Sequence, residues 1–339
     1  MLIHNVHIMW LNAVSLNRWW QKRHYGHLGV YWLLVPMLLL CSASPVATAR
    51  ATPADTTTIT WYMYDLPPYH ILRGADKGTG PLDFIYQQWQ TLLPTYDHQP
   101  VAVNTTRMVR EFQSDKDHRC ITSSFIFPQS KDHWVWSKAI YVEPPAVIVT
   151  RRSLVSTFMK QYGVDIDGTP CQDCDSRIVD FRKMIATQSL RFGHFEGRIY
   201  SGFVDALIND KIDHEHVISV STYAPGEGLM RMLQRGRVDY IVEYLPEIHW
   251  LSRSNQLEAD RELIALKIAE HHALSPVHVG CTNTAWGNGI IEKLNQQITP
   301  QFRALVGQAF EPWLLDDFNV THFREAQSRY FDKSTVVPE

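Results

Sequence analysis

From Ile59 to Ile298 short β-rich runs alternate with segments whose apolar residues recur at helical spacing. Ile59 to Tyr64 reads as a strand, and Pro67-Pro68 ends it because proline cannot continue a ladder. Asp76 to Gly80 is a turn, and after Pro81 the residues Leu82, Ile85, Trp89 and Leu92 mark a helix. Further strands are expected at Cys120–Phe127, Leu190–Phe195, Val217–Thr222, Val238–Val242, Leu263–Ile268 and Val277–Cys281. Ile140 to Thr150 reads as extended, with Pro144-Pro145 inside it, and a helical stretch is expected up to Met184. Gly197 leads into a periodic segment with Phe203, Ala206 and Leu207. Helices are also expected at Glu227–Gln234, stopped by Gly236, and at Trp286–Ile298. This order predicts an α/β protein of mostly parallel sheets covered by helices. A chain of 339 residues exceeds one compact core, which points to two domains.

Residues 1–49 do not read as folded domain. Arg18, Lys22, Arg23 and His24 precede the apolar run Val30 to Leu40, interrupted only by Pro36, and Ala47-Thr48-Ala49 follows. That is the layout of a secretory leader, and the run is short for a membrane span. Cleavage after the A-x-A is the preferred reading, with an uncleaved anchor as the alternative. Cys41 follows the bulky Leu40, which argues against lipid anchoring. Residues 50–57 read as a Thr- and Pro-rich tether, and 331–339 as a C-terminal tail.

A formal net charge of -3 offers no basic surface for nucleic acid. The 11 Trp, 14 Tyr and 14 Phe supply core volume and would equally suit a cleft that stacks on a ligand. No G-x-S-x-G, H-E-x-x-H or phosphate loop occurs, so no catalytic residue or cofactor is expected. The 16 His show no metal-ligand spacing, so no metal site is expected either.

Three stretches carry a resemblance. They are Asp65-Leu66-Pro67-Pro68-Tyr69 followed by Gly78, Gly80 and Asp83; Leu233 to Val242 with Gly236-x-x-Asp239; and Val279-Gly280-Cys281 with Trp286, Gly287, Ile290, Ile291 and Asn295. In this order the chain resembles the family-3 extracellular solute-binding proteins, including those of amino-acid ABC transporters. The resemblance implies the two-lobed type II periplasmic-binding-protein fold with a hinge crossed twice. Lobe one would be residues 58–147 plus 267–330, and lobe two the inserted residues 148–266. The hinge would lie near Val142–Val149 and Leu263–Ile268. A ligand would then sit where the strand carboxyl ends of the lobes face each other.

The resemblance implies a ligand set of Tyr64, Tyr69, Ser123, Ser124, Phe125, Ser130, Arg198, Ser201 and Tyr244. Tyr62 and Tyr64 share one strand face, so an aromatic wall and ordinary core packing are both open readings. Gly197 to Gly202 sits where a strand turns into a helix, whose free N–H groups would favour an anionic ligand group, with plain capping as the alternative. Where amino-acid binders place a carboxylate-clamping Arg, this chain has Ser130 with Lys131 beside it. Where they place an amine-binding acid, it has Tyr244, with Glu243 one residue earlier and facing the other way. Arg107, on a neighbouring loop, is open to two readings, a substitute for that carboxylate clamp and, the preferred one, a solvated surface residue. Both departures put an α-amino acid ligand in doubt without touching the expectation of some polar solute.

Without Cys41, four cysteines remain, an even count that suits disulfides in an exported protein. Cys171-x-x-Cys174 is expected to form a local bridge. The resemblance implies that Cys120 pairs with Cys281, against the alternative of two buried free thiols. The chain is thus expected to be a periplasmic, monomeric binding protein that hands a small polar solute to an ABC transporter permease or a membrane sensor. A ligand-free signalling or structural derivative and an enzyme on the same scaffold are the alternatives.

Overall fold

The computed structural model describes residues 58–333 apart from 115–116, 131, 166–176, 201, 212–214, 222–224, 255–262, 272 and 315–316. The expected Cys171–Cys174 bridge, Ser201, Lys131, the leader and the tether lie outside the described residues.

Twelve described strands form two sheets. The first contains β1 (Thr58–Met63), β2 (Asp97–Ala102), β3 (Arg119–Ser124), β4 (Trp134–Trp136), β5 (Tyr141–Glu143) and β12 (Ser275–Thr282). Its order is β2-β1-β3-β12-β4, with β5 on the far stretch of β12. The second contains β6 (Val147–Arg151), β7 (Ile178–Val179), β8 (Phe192–Phe195), β9 (Val217–Val220), β10 (Tyr240–Glu243) and β11 (Leu263–Ile268), in the order β7-β11-β6-β10-β8-β9. The chain therefore leaves the first sheet after Glu143 and returns to it at Ser275. Every antiparallel pairing involves β6 or β12. Each is the first strand laid down after a crossing, and it runs against its neighbours while the remaining pairs are parallel.

Helices α1 (Pro81–Leu92), α2 (Thr105–Phe112), α8 (Ala285–Gln297), α9 (Pro300–Phe310) and α10 (Asp317–Lys333) accompany the first sheet. Helices α3 (Arg152–Tyr162), α4 (Phe181–Ile185), α5 (Gly202–Lys211), α6 (Pro225–Gln234) and α7 (Leu245–Ser254) accompany the second. Their starts follow capping chemistry: Asn104, Thr284 and Thr299 accept from the backbone N–H three residues on. The stretch read as a C-terminal tail begins inside α10, which runs to Lys333.

The alternation of β1 gives the first sheet two apolar faces. Ile59 and Trp61 pack toward α1, where Trp89 stacks on Phe302 of α9 at 4.7 Å. Tyr62 turns to the opposite face with Ile121, Val103 and Met108. In the second sheet Phe192 and Tyr240 stack at 5.1 Å beneath Phe158 and Phe181. Cys120 and Cys281 are cross-strand partners in β3 and β12 and are joined by a disulfide, both fully buried. The pairing implied by the resemblance is present. Among the described residues no helix is long and apolar enough to cross a membrane.

Candidate functional site

The carboxyl ends of β1 and β3 in the first sheet face those of β8 and β10 in the second across a cleft. It encloses about 560 Å³ of empty space, its open mouth included. Tyr64, Tyr69, Ser123, Ser124, Phe125, Tyr141 and Glu143 line it from the first sheet's side, and Gly197, Arg198, Ile199 and Tyr244 from the other. Strand ends meet there because side chains past the last ladder bond are released from the sheet and can point into the gap between layers.

A buried polar knot seats Tyr69. His70 bridges Asp83 at 2.8 Å and the Thr122 hydroxyl at 2.7 Å. Asp83 also accepts the backbone N–H of Ile71 and of Gly80, the N-cap of α1. The loop after β1 is thus pinned to α1 and β3, and the Tyr69 hydroxyl donates to Glu143 Oε1 at 2.8 Å. Burial pushes the Glu143 carboxyl up to about 8; the Tyr69 hydrogen bond and Arg198 pull it down, and Glu247 pushes it further up.

On the opposite wall, Gly197 carries a φ of 75°, a left-handed conformation that glycine adopts freely. A Cβ there would stand 3.1 Å from the Thr105 hydroxyl, so a bare backbone also permits the two sides to approach. Arg198 is 4% exposed and donates Nη1 to Glu247 Oε1 at 2.7 Å and Nη2 to Glu247 Oε2. Glu243 Oε2 lies 3.4 Å from the same guanidinium and receives no hydrogen bond from the described residues. Burial opposes the Arg198 charge, but Glu247 and then Glu243 hold its pKa well above the ordinary value. Burial and then Glu247 raise Glu243 well above the carboxylate range. Tyr200 and Tyr244 flank the guanidinium at 5.0 and 5.7 Å, and Tyr244 donates its hydroxyl to the Tyr200 carbonyl.

Seven of the nine residues in the expected ligand set come together here: Tyr64, Tyr69, Ser123, Ser124, Phe125, Arg198 and Tyr244. Ser130 does not. It is fully buried in a single 3-10 turn, where its hydroxyl donates to the Phe127 carbonyl at 2.6 Å. Its side chain is used to close that turn and faces away from the cleft lining. Arg198 stands in the cleft wall, but its two terminal nitrogens are taken up by Glu247, a different arrangement from the open anion site expected at the helix start. Tyr62 donates to Glu111 on α2 at 3.2 Å and is packed with Val103, Met108 and Ile121, so it serves the core beside Tyr64 and is not among the lining residues. Arg107 is exposed and faces Glu111 at 3.8 Å. Glu143, Tyr141 and Glu247 escaped sequence reasoning. Glu143 stands just before Pro144-Pro145, a signal of a crossing strand that hid its acid.

Among the described residues no three His, Cys, Asp or Glu are grouped so as to hold a metal ion. The sequence matches no family model and no curated protein. By structure, the chain is similar to AbpA, an amino acid ABC transporter substrate-binding protein from Streptococcus pneumoniae bound to L-arginine. That match has a TM-score of 0.52 and 11% identity, over 78% of this chain and 98% of the other. A histidine kinase sensor domain with similarity to periplasmic binding proteins matches with a TM-score of 0.53 and 11% identity, over 76% and 96%. The periplasmic VFT2 domain of BvgS from Bordetella pertussis matches with a TM-score of 0.50 and 15% identity, over 77% and 94%. Two sheets crossed twice by one chain, with their strand ends facing over a cleft, are the type II periplasmic-binding-protein fold, and this chain has that fold.

Proposed function

We propose that the chain is an exported binding protein that captures a small polar solute between two lobes and passes it to a membrane transporter or reports it to a sensor. Lobe one is residues 58–147 with 267–330, and lobe two residues 148–266. The observation that carries this reading is the cleft itself. Tyrosine rings, hydroxyls and a buried carboxyl converge on one cleft from the ends of β1, β3, β5, β8 and β10. Hinge closure would bury the ligand, its binding energy stabilising the closed form. The Arg18-to-Ala49 leader pattern and the Cys120–Cys281 disulfide fit an oxidising compartment outside the cytoplasm. Solved structures of this fold include both a transporter's binding protein and sensor domains, so likeness does not choose between those two outlets.

One observation favours a second reading, a signalling derivative that needs no ligand. The cleft is already bridged by the protein's own groups, with Thr105 donating to the Glu196 carbonyl and Phe125 lying 6.1 Å from the Tyr244 ring. Native mass spectrometry of the exported chain followed by a thermal-shift screen separates the two. A true ligand at one hundred times its dissociation constant adds about 2.7 kcal/mol of stability. A bound solute, or a rise in Tm of several degrees with one solute class, supports capture. No co-purified solute and no rise with amino acids, polyamines, sugars or organic acids favours the ligand-free reading.

A further inference from the structure

We propose that the cleft takes a cationic solute, its ammonium or guanidinium group seated against Glu143 within the surrounding tyrosine rings, and that Arg198 does not serve as an anion clamp. This rests on the reading of the cleft as a binding site and names the charge class of what it binds.

Arg198 is the one cation lining the cleft among the described residues, and Glu247 already pairs its charge through one N–H of each terminal nitrogen. Glu247 engages it with both oxygens, Glu243 stands behind it at 3.4 Å, and two tyrosines cover its faces. An incoming anion would meet a guanidinium whose charge Glu247 already balances, with Glu243 beside it. The guanidinium is therefore part of the wall, holding the loop after β8 against α7.

Glu143 differs. It lines the cleft, it is 2% exposed, and the Tyr69 hydroxyl gives it the one side-chain hydrogen bond found among the described residues. Three carboxyls, Glu143, Glu243 and Glu247, stand in or beside the cleft against one guanidinium; Glu247 is ion-paired to that guanidinium, and Glu143 is the carboxyl that lines the space. Tyr64, Tyr69, Tyr141, Tyr244 and Phe125 line the same space, and aromatic rings around an ionised carboxyl favour a cation over an anion.

The geometry also sets a proton linkage. Burial holds Glu143 up to about 8, so near neutral pH the empty site is largely protonated. The groups that act on or face it are Tyr69, Tyr141, Tyr244, Glu247 and Arg198. A bound cation favours the ionised carboxyl, so binding releases a proton, and affinity rises from pH 6 to about pH 8 and then levels off.

The test is a thermal-shift and calorimetric screen of the wild-type chain and of Glu143→Gln, which keeps the shape and the hydrogen-bonding oxygen. The cations are agmatine, putrescine, arginine and choline; the anions are glutamate, succinate and inorganic phosphate; the neutral probe is glucose. We expect a cation to bind wild type and to lose about 10- to 100-fold in affinity in the variant, the loss expected for a charge-assisted contact. Affinity for that cation should rise with pH in wild type and not in the variant. Cation binding that is equal in both proteins overturns the proposal. Binding of succinate, phosphate or glucose with no cation bound overturns it while leaving the capture reading intact. Failure of every probe, with no co-purified solute, overturns both.

Discussion

Thr105 on α2 donates its hydroxyl to the backbone carbonyl of Glu196, beyond β8, at 2.8 Å. The two residues are 91 positions apart and belong to different sheets, so this bond ties one side of the cleft to the other. Thr105→Val removes the donor and preserves the shape. We expect a stability loss of about 1 kcal/mol by urea denaturation and a larger radius of gyration in solution scattering. An unchanged radius would mean that packing around Ile199 and Phe125 alone holds the cleft shut.

Two buried groups set opposing pH slopes. The folded chain keeps a proton on Glu143, at about 8, that the unfolded chain releases above the ordinary carboxylate value of 4.5. Stability is therefore lost as pH rises from about 4.5 through 8. His194 acts in the other direction: burial and then Arg198 hold it down at about 4 from the ordinary imidazole value of 6.5. The unfolded chain takes up a proton that the folded one refuses, and stability is lost as pH falls from 6.5 toward 4. The slopes of these two groups offset each other between 4.5 and 6.5, and above that Glu143 contributes up to about 2 kcal/mol by pH 8, beside Glu243, which is raised in the same direction. Glu143→Gln should reduce the fall of the urea midpoint between pH 6.5 and 8, and His194→Asn should make the midpoint fall more as pH rises over 4.5 to 6.5 than it does in wild type.

Asp239 joins three parts of the second sheet. It accepts from Arg151 Nη2 at 3.0 Å and from Arg191 through Nε at 3.1 Å, Nη2 at 2.9 Å and the backbone N–H at 2.9 Å. Burial works against its charge, but the hydrogen bonds from Arg191 and Arg151 hold the carboxyl below its usual range. Its contribution is present above the ordinary carboxylate pKa and lost as pH falls through the lowered one. Asp239→Ala should cost about 2 kcal/mol at pH 7. The difference from wild type should shrink at pH 3.

The Cys120–Cys281 disulfide closes a loop of 161 residues. Replacing both cysteines by alanine should lower stability by about 2–5 kcal/mol. Thermal melts with and without reductant would check this, and the alanine variant should be indifferent to reductant.

The legible parts of the fold were those where one apolar period runs undisturbed. β1, β10 and β11 are buried runs rich in β-formers, and α1, α6 and α8 carry clean helical faces. β2 was not legible. Its sequence, Asp97-His98-Gln99-Pro100-Val101-Ala102, is polar because it forms an edge, paired to β1 alone, and its side chains stay largely in solvent. Helices α2, α3 and α7 are short and mix charge into their apolar faces, so tertiary packing decides them more than periodicity. In the cleft, Tyr64, Ser123 and Tyr244 could be found because each follows or ends a recognisable strand. Glu143 and Glu247 could not. Their roles depend on partners 74 and 49 residues away, Tyr69 and Arg198, and no local pattern encodes such a meeting.

The covalent bridge between β3 and β12 makes the first sheet a closed ring of chain from which the second hangs. A protease that nicks a loop anywhere between the two cysteines leaves a single molecule, because the fragments stay stapled through β3 and β12. Such damage would pass unnoticed on a gel run without thiol and appear as two bands once thiol is added. The whole second sheet lies within that ring of chain, so no single cut there sets it adrift.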